Sequence, residues 1–507
     1  MKGQNFLIVD ELTKKNLSDL EIENFERLGY WTETDPIIEG LSSNSKNIKP
    51  GYIFFAVDGF SHHGANFVLE AIDKGAILVI TDCVGVKIIT KKSLDIALMI
   101  VNNPRKKLAE YAARLNACQP KIQVAVTGTN GKTSVCHFVR QLWELLGYRA
   151  ASIGTLGVQG EINSSLNSTT PDPVTLHKIL NELVQKRVEY VAMEASSHGL
   201  DQFRLDGVSL TAAAYTNLSR DHLDYHSTED DYLVSKCMLF DRVLTHEKIV
   251  VLNVDDTYAH VIKLVSENRG HKVVKVGSDK TADFKICGQR FNSNGQILKF
   301  LFQNCSETVE LPLIGAFQAS NVLIAAALVI ASGAPPERVF ENLPKLQTVP
   351  GRMELVGTKK TLGNIYIDYA HTPEALRSAL KALKLHTIGR LIVVFGAGGE
   401  RDSGKRPLMG QIANDYADKV FVTDDNPRNE SPTKIRSEIL SECPNAIEIP
   451  DRATAILTAI NDVVQGDVLL IAGKGHETGQ IVGDDILPFN DSEFVSMSLA
   501  LLEGKKT

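Results

Sequence analysis

Features typical of secreted, membrane-spanning and nucleic-acid-binding proteins are absent from the sequence. The seven cysteines are scattered, odd in number and never spaced as C-x-x-C, so they indicate neither a disulfide framework nor a zinc site. No apolar run approaches the ~18 residues of a membrane span, and the acidic residues close behind the first apolar patch are unlike a signal peptide. The net charge of −7 gives no general attraction to nucleic acid or to anionic membranes. These absences predict a cytoplasmic protein that binds no nucleic acid and inserts into no membrane.

Length and composition indicate several ordinary globular domains. A chain of 507 residues, of which 43% are hydrophobic, is too long for one core and suggests about three domains of ~150 residues each. Changes of pattern near residue 117 and at Pro350-Gly351 predict domains over residues 1–117, 118–349 and 350–507. A monomer is expected.

The pattern of strands and helices predicts an α/β fold. From residue 122 to about 349, apolar strand-like segments alternate with helix-like segments, which favours a parallel sheet covered by helices on both faces. Beyond residue 350, four further apolar segments each end in polar, Gly-rich or charged residues. Because ligands bind at the carboxyl edge of open α/β sheets, we expect a ligand-binding edge in each of these two domains.

The segment IQVAVTGTNGKTSVCHF, residues 122–138, is typical of a phosphate-binding loop. Its glycines allow backbone N–H groups to approach phosphate oxygens, and the helix that follows adds the positive end of its dipole. Lys132 supplies a charge for the outer phosphates, and the Thr133 hydroxyl is a ligand for Mg²⁺. The loop is shorter than the usual eight-residue form, which would need glycine where Val126 stands. The alternative is a Gly-rich turn between a strand and a helix.

Two acidic or histidine-bearing segments follow other strands of the predicted central sheet. Glu194 ends the apolar segment YVAMEA, where a carboxylate beside a phosphate loop suits Mg²⁺; the alternative is a helix N-cap or a solvated loop carboxylate. Asp221, His222, Asp224 and His226 lie within six residues of one another in TNLSRDHLDYH. Each histidine alone is more often structural, but its place after a strand favours a metal or phosphate role for His222.

Nine motifs, in this order, resemble those of the Mur ligases of peptidoglycan synthesis, and the likeness extends over nearly the whole chain. They are GTNGKT, STTPD, MEASSHGLDQFR, TNLSRDHLDYH, YLVSKCMLF, PGRME, DYAHTP, DNPR and AGKGHE. The resemblance implies three domains: an N-terminal domain for a UDP-sugar, a central ATPase with a P-loop-type parallel sheet, and a C-terminal Rossmann-like domain for an amino acid.

The resemblance is strongest to the members of the family that add the third residue of the peptide. It implies transfer of the γ-phosphoryl group of ATP, with Mg²⁺, to the D-Glu side carboxylate of UDP-N-acetylmuramoyl-L-alanyl-D-glutamate. The amine of meso-2,6-diaminopimelate then attacks the acyl phosphate and expels phosphate. Alternatives that remain open are a lysine-adding ligase of this family, a folylpolyglutamate synthetase and a nucleotide-dependent switch that makes no bond.

Site residues are implied by matching the motifs position by position. The catalytic and metal-site set is Lys132, Thr133, Glu194, His222 and Lys236, with Lys236 as the lysine that CO₂ converts to a carbamate (N6-carboxylysine). The ATP-contacting set is Gly128, Thr129, Asn130, Gly131, Lys132, Thr133, Ser134, Asn321, Arg352 and Asp368. Sequence physics alone predicts only a solvated helix lysine at position 236. Ser168 and Phe317-Gln318 depart from the residues common in relatives.

The same matching implies contacts for the other two substrates. Contacts to the UDP-dipeptide are implied for Ser45, Phe60, Ser61, His62, Thr169, Thr170, Ser196, Gln202 and Arg204. Contacts to diaminopimelate are implied for Arg401, Asp425, Asn426, Pro427, Arg428, Gly473 and Glu477. Diaminopimelate differs from lysine by one distal carboxylate, and an arginine can donate two parallel hydrogen bonds to that group. The alternative for DNPR is a proline turn with a surface arginine.

Overall fold

Three successive stretches of the chain each form one large sheet, and the described residues also form two separate pairs of strands. The computed structural model describes residues 15–20, 26–28, 35–59, 62–90, 97–221, 225–292, 295–358 and 363–502. Within these ranges, no helix combines the length and the apolar character needed to cross a membrane.

The N-terminal stretch forms a five-stranded sheet. The strands of this stretch, five in the sheet and two in a separate pair, are β1 Lys15–Asn16, β2 Glu26–Leu28, β3 Ile37–Ile38, β4 Gly40–Ser42, β5 Tyr52–Ala56, β6 Ala76–Thr81 and β7 Leu98–Ile100. The α-helices of this stretch are α1 Val68–Asp73, α2 Cys83–Thr90 and α3 Pro104–Leu115. The sheet order is β2-β7-β6-β5-β4, with only the edge strand β2 antiparallel, and β1 pairs with β3 apart from it. Helix α3 packs against the central stretch, which joins the two regions.

The central stretch forms a ten-stranded sheet. Its strands are β8 Ile122–Thr127, β9 Ala150–Gly154, β10 Gly157–Gly160, β11 Tyr190–Glu194, β12 Ala212–Tyr215, β13 Ile249–Asn253, β14 Lys272–Gly277, β15 Phe284–Asn292, β16 Gly295–Phe302 and β17 Cys305–Leu311. Its helices are α4 Lys132–Leu145, α5 Pro173–Gln185, α6 Ser197–Asp201, α7 Glu229–Met238, α8 Ala259–Asn268, α9 Phe317–Ala331 and α10 Pro336–Asn342. The order is β10-β9-β11-β8-β12-β13-β14-β15-β16-β17.

Strand β8 lies in the middle of the parallel part of this sheet, between β11 and β12. Val124 and Val126 belong to the core on one face, and Ala125 belongs to the core on the other face. A strand that is buried on both faces needs a continuous apolar run, which is why the sequence before the phosphate loop shows no alternation. The predicted helices on both faces are therefore observed.

One part of the central stretch departs from the predicted alternation of strands and helices. Strands β15, β16 and β17 form an antiparallel meander. Gln303 and Asn304, which join β16 to β17, have φ values of 49° and 64°, as a two-residue hairpin loop of type I′ requires. Helix α9 begins at Phe317, so Asn321 lies in its second turn.

The C-terminal stretch forms a six-stranded sheet with a separate hairpin. Its strands are β18 Glu354–Thr358, β19 Asn364–Asp368, β20 Leu391–Phe395, β21 Lys419–Val422, β22 Ile447–Glu448, β23 Val468–Ala472, β24 Gly479–Val482 and β25 Asp485–Pro488. Its helices are α11 Pro373–Lys384, α12 Lys405–Tyr416, α13 Pro432–Leu440, α14 Arg452–Asp462 and α15 Asp491–Leu502. The order is β18-β19-β23-β20-β21-β22, parallel except for β18, and β24 pairs with β25. The carboxyl ends of β19, β20, β21 and β23 thus meet at one edge.

Candidate active site

The phosphate loop, residues 128–134, connects β8 to α4 in a shape that only glycine permits at two positions. Gly128 has φ +147° and Gly131 has φ +87°. A Cβ atom at Gly128 would lie 1.9 Å from Thr216 Oγ1, and one at Gly131 would lie 2.6 Å from Asn321 Oδ1. The glycines therefore serve both the backbone conformation and the close approach of neighbouring elements.

Lys132, the first residue of α4, turns its amine back onto the loop. Its Nζ donates to the backbone oxygens of Gly128 and Thr129, both at 2.8 Å. Burial lowers the pKa of Lys132, and the Glu194 carboxylate opposes that shift. The amine is thus held at the mouth of the loop, where it can exchange these carbonyl contacts for phosphate oxygens.

Glu194, the last residue of β11, is buried against the phosphate loop. Its side chain is only 2% exposed, and Oε2 accepts hydrogen bonds from Thr133 Oγ1 at 3.0 Å and Thr155 Oγ1 at 3.1 Å. Oε1 accepts from the backbone N–H of Thr155 at 2.8 Å. The N-cap of α6 is Ser196, so the alternatives of a helix cap or a solvated carboxylate at position 194 are wrong.

Lys236 on α7 is buried, so the sequence-based expectation of a solvated helix lysine is wrong. Its side chain is 1% exposed, and Nζ lies 4.1 Å from the centre of the Tyr232 ring. Burial lowers the pKa of Lys236 well below its usual value, and Lys132 lowers it further. The neutral amine is the form that this environment favours.

A cavity of about 590 Å³, the nucleotide cavity, opens beside the phosphate loop between the central and C-terminal sheets. That volume falls within the ~300–1,000 Å³ of ligand pockets. Its walls include Asn130, Gly131, Thr133, Ser134, Asn321, Arg352 and Asp368. The structure thus brings most of the predicted ATP-contacting residues to one cavity.

Three of these residues come from outside the phosphate loop and are held by local contacts. Asn321 Nδ2 donates to Gln318 Oε1 at 3.1 Å, so the unusual Gln318 orients it. Arg352 Nη2 lies 3.5 Å from Thr133 Oγ1, across the boundary between the two sheets. Asp368 accepts backbone N–H groups of Met353 at 2.7 Å and of Ala370 at 2.8 Å, and burial raises its pKa.

The predicted dipeptide contacts of the central stretch form one hydrogen-bonded group next to Glu194. Thr170 Oγ1 donates to the backbone oxygen of Glu194 at 2.7 Å and accepts from the Ser196 amide at 3.0 Å. Arg204 Nη1 donates to the Thr170 carbonyl at 2.7 Å, and its Nη2 donates to Gln202 Oε1 at 2.8 Å. Thr169 Oγ1 lies 3.1 Å from Thr155 Oγ1.

The two predicted uridine contacts that the structure describes, Ser45 and His62, lie in connections between strands of the N-terminal stretch. Ser45 is buried and donates from Oγ to Glu70 Oε2 at 2.7 Å, whereas His62 is exposed. Phe60, Ser61 and the predicted metal-site residue His222 lie outside the described residues.

A second cavity, the amino-acid cavity, lies at the carboxyl edge of the C-terminal sheet. Its walls include Arg401, Asp425, Asn426, Arg428, Gly473 and Glu477, which are six of the seven residues predicted for diaminopimelate. Pro427, the seventh, is buried between Asn426 and Arg428. A Cβ at Gly473, which has φ +114°, would lie 2.6 Å from Asp425 Oδ2, so glycine is required for this approach.

Arg428 is fixed by its backbone and by its side chain. It has φ +52°, and its N–H donates to Ile481 O at 3.1 Å while its carbonyl accepts from Gly483 N at 2.9 Å, so the hairpin β24–β25 clamps it. Its Nη1 donates to the Gly399 carbonyl at 2.7 Å. A turn at Pro427 is present, with Glu430 N donating to its carbonyl at 3.1 Å, but Arg428 lines the cavity and is not a free surface arginine.

A buried lysine that sequence reasoning missed ties two predicted contacts together. Lys474 is 0% exposed, and Nζ donates to Asn426 Oδ1 at 2.9 Å and to Glu477 Oε2 at 3.0 Å. Asn426 Nδ2 also donates to Glu477 Oε2 at 2.8 Å. Lys474 stands inside the quoted motif AGKGHE, and its place between two glycines after a buried strand was the available signal.

The two cavities meet at residues that they share. Arg220 and Pro373 line both of them, and Arg220 Nε lies 3.6 Å from Asp402 Oδ2 of the C-terminal stretch. His198, Tyr369, His371 and Lys405 also line the amino-acid cavity, and sequence reasoning assigned them no role. The two cavities thus adjoin each other at Arg220 and Pro373.

Comparisons with known proteins agree with the geometry. Three family models match in order: "Mur ligase family, catalytic domain" over residues 37–122, "Mur ligase middle domain" over 126–329 and "Mur ligase, glutamate ligase domain" over 351–475. The curated UDP-N-acetylmuramoyl-L-alanyl-D-glutamate--2,6-diaminopimelate ligase of Mesorhizobium japonicum is 45% identical over 467 residues, which is 91% of this chain and 95% of that protein.

Solved structures extend the likeness to three dimensions. A structure titled as a UDP-N-acetylmuramoyl-L-alanyl-D-glutamate--2,6-diaminopimelate ligase has a TM-score of 0.67 and 31% identity, covering 97% of this chain and 99% of that one. Mycobacterium tuberculosis folylpolyglutamate synthase complexed with ADP has a TM-score of 0.61 at 18% identity, covering 73% of this chain and 91% of that one, and shares the fold alone. Because the family models follow one another along the chain and a relative of 45% identity extends over nine-tenths of it, the chain belongs to the Mur ligase family, as its motifs predicted.

Proposed function

We propose that this chain is an ATP-dependent ligase that joins meso-2,6-diaminopimelate to UDP-N-acetylmuramoyl-L-alanyl-D-glutamate through an acyl phosphate. The observation that carries the proposal is the junction of the two cavities at Arg220 and Pro373. A phosphate loop opens on one side of this junction and a fixed arginine on the other. An amide-forming ligase needs this arrangement, because a phosphorylated acid has to meet an amine away from water.

The first step is supported by the nucleotide cavity. Residues 128–134 hold the phosphates of ATP, Lys132 meets the transferring γ-phosphoryl group, and Asn321 and Arg352 approach from α9 and from the start of the C-terminal sheet. Asp368 has carboxylate lone pairs for ribose hydroxyl groups. Phosphoryl transfer depends mainly on positioning and charge neutralisation, which these residues supply.

The donor set beside the phosphate loop fits Mg²⁺. Among the described residues, no group of three or more His, Cys, Asp or Glu side chains could hold a metal by itself. Thr133 and Glu194 provide two oxygen donors 3.0 Å apart, and a carbamate on Lys236 together with His222 would complete the set. Hard oxygen ligands are those that Mg²⁺ prefers, and the ion neutralises charge on the phosphates when bound. Burial, reinforced by Lys132, lowers the pKa of Lys236 and so favours the neutral amine, which is the form that reacts with CO₂.

The UDP-dipeptide is assigned to the group beside Glu194 and to the N-terminal sheet. Thr169, Thr170, Ser196, Gln202 and Arg204 hold the peptide end, so that the D-Glu side carboxylate faces the phosphate loop. Ser45 and the segment Phe60, Ser61 and His62 receive the uridine nucleotide. The corresponding domains are residues 1–117 for the UDP-sugar, 118–349 for ATP and 350–507 for the amino acid.

Selection of the third residue is assigned to the amino-acid cavity. Arg428 binds the distal carboxylate of diaminopimelate, and Glu477 with Asp425 faces its ammonium groups, beside Arg401, Asn426 and Gly473. Lysine would leave the guanidinium of Arg428 without its carboxylate. A site built on such a polar contact rejects the analogue that lacks it by roughly 10⁴-fold.

The experiment is incubation of the purified chain with ATP, Mg²⁺, the UDP-dipeptide and either diaminopimelate or lysine, with the product mass as readout. We expect a product heavier by one diaminopimelate residue and no comparable lysine product. A lysine product of equal yield would identify a lysine-adding ligase. Glutamate addition to a folate would identify a folylpolyglutamate synthetase, and ATP turnover with no product would indicate a switch.

A further inference from the structure

The loop between β19 and α11 separates the two cavities. Asp368 at its start lines the nucleotide cavity, Tyr369 and His371 line the amino-acid cavity, and Pro373 lines both. His371 therefore stands at the end of the amino-acid cavity that is nearer to the nucleotide. An amine bound in that cavity must pass this end to reach an activated carboxyl group.

The tautomer of His371 is set by its own loop. Nδ1 lies 2.9 Å from the backbone oxygen of Tyr369, and the two rings are in edge contact with centroids 4.6 Å apart. A carbonyl oxygen only accepts hydrogen bonds, so Nδ1 carries the proton and Nε2 of the neutral ring keeps its lone pair. Among the described residues, nothing is hydrogen-bonded to Nε2, which leaves this lone pair for a ligand.

The charged groups around the ring favour its neutral form before substrate binds. Burial lowers the pKa of His371, Lys405 and Arg352 act in the same direction, and Asp221 opposes them. The carboxylates and phosphate that the substrates bring would raise this pKa again, because negative charge stabilises the imidazolium. Protonation of the ring is thus more favourable when the negatively charged substrates are bound than when they are absent.

Four carboxylates line the same cavity, and none of them is free: Asp221 has a partner, and the other three make the following contacts. Asp425 Oδ1 accepts the Asn426 amide at 2.6 Å, Glu477 is paired with Lys474 at 3.0 Å, and Asp402 Oδ1 accepts the Gly404 amide at 2.9 Å. His371 offers an uncommitted lone pair instead, at the end of the cavity where the bond must form.

We propose that His371 is the general base of amide formation, an inference that rests on the proposed function. One N–H bond of the attacking ammonium group of diaminopimelate breaks, and its proton passes to Nε2. The freed lone pair forms the C–N bond with the carbonyl carbon of the acyl phosphate. The C–O bond to phosphate then breaks, phosphate leaves with that electron pair and takes the second proton from nitrogen, and the imidazolium releases its proton to solvent.

The test compares two nucleophiles in His371→Gln, whose amide keeps a hydrogen-bond acceptor but cannot take up a proton. Diaminopimelate arrives as an ammonium ion, whereas hydroxylamine is largely unprotonated at neutral pH and captures an acyl phosphate without a base. We expect the rate with diaminopimelate to fall by roughly 10²- to 10⁴-fold, which is the usual contribution of general base catalysis, while hydroxamate formation stays at the wild-type rate. The loss should shrink as the pH rises, because more free amine is present.

His260→Gln is the matched control, since the exposed His260 also has Nδ1 at 2.9 Å from a nearby backbone oxygen, that of Thr257, but lies outside both cavities. If His371→Gln lowered the rates with diaminopimelate and with hydroxylamine equally, His371 would have a structural role and the inference would be overturned. A variant that keeps the diaminopimelate rate would also overturn it, pointing to Asp221 or another base. Wild-type protein that makes no tripeptide product would instead refute the proposed function itself.

Discussion

The nucleotide cavity and the amino-acid cavity hold their charged side chains in different ways. Beside the nucleotide cavity, the hydrogen bonds that the Lys132 amine makes within the described residues go to carbonyls of its own loop, at Gly128 and Thr129. In the amino-acid cavity, Arg428 is held by Gly399 and by the hairpin β24–β25. Under the proposed function, the first site would exchange its contacts for phosphate during turnover, whereas the second presents a fixed charge. The difference indicates that chemistry and selectivity are separable in this chain.

The largest effect is expected from removing the loop charge. Lys132→Met should lower the rate of phosphoryl transfer by about 10³-fold, because a charge aimed at the transferring group is lost from a half-buried site. Binding of diaminopimelate, measured by calorimetry, should stay within twofold. Lys263→Met, on the surface of α8, is the control for loss of a lysine. A large loss of diaminopimelate affinity in Lys132→Met would break the separation of the two cavities.

Removing the charge of Arg428 tests the amino-acid cavity. Arg428→Ala should raise KM for diaminopimelate by roughly 10²-fold, because a fixed partner of a carboxylate is removed. Affinity for ATP should not change, and the preference over lysine should nearly vanish. Arg149→Ala, an exposed arginine paired with Glu161 at 2.9 Å, controls for charge. Unchanged diaminopimelate kinetics in Arg428→Ala would contradict the assignment of this cavity to diaminopimelate.

Phosphoryl transfer beside the nucleotide cavity is expected to require CO₂, whereas binding in the amino-acid cavity is not. If Lys236 carries a carbamate, CO₂-depleted buffer should lower phosphoryl transfer at least roughly tenfold, as the loss of a group around a metal does. Bicarbonate should restore the rate. The affinity for diaminopimelate should change neither on CO₂ depletion nor on addition of bicarbonate. Native mass spectrometry should show one added CO₂ in wild type and none in Lys236→Arg, since arginine stays charged. An activity that does not change when CO₂ is removed would contradict a carbamate on Lys236.

The same contrast explains what the sequence could predict. The phosphate loop is contiguous, so its residues and chemistry were readable from spacing, and the apolar strand before it gave the sheet. The amino-acid cavity joins loops after four strands, so its members were found only through the family resemblance. The antiparallel meander β15–β17 was missed, although the polar and exposed residues of β15 and β17 distinguish these two strands from the continuously apolar, buried strands β8 and β12 of the parallel part.

Burial accounts for the remaining errors. Lys236 was expected in solvent because its helix has polar neighbours in sequence, yet tertiary packing leaves it 1% exposed. Lys474 was overlooked for the same reason, since an ion pair with Glu477 and a bond to Asn426 exist only after folding. Sequence patterns report how residues are spaced along the chain, whereas these roles depend on elements far apart in the chain.

The smallest expected effect concerns His476, which lies between the two regions. Its ring lies 5.3 Å from that of Tyr369, and burial, reinforced by Arg352, lowers its pKa to about 4. The folded protein thus binds fewer protons than the unfolded chain between about pH 4 and the ordinary histidine pKa of 6.5. His476 should therefore reduce stability as pH falls through that window and have no effect above it.

His476→Gln removes this titration and keeps a polar side chain of similar length. The loss of thermal stability between pH 7 and pH 5 should then be smaller than in wild type by about 1 kcal/mol, allowing for the partly exposed ring. His137 and His177, whose pKa values burial also lowers to about 4, remain in both proteins and cancel in the comparison. Differential scanning calorimetry at the two pH values gives the difference directly. Equal losses in the two proteins would mean that folding does not lower the pKa of His476, and would contradict the burial of its ring between the two regions as the cause of the pH dependence.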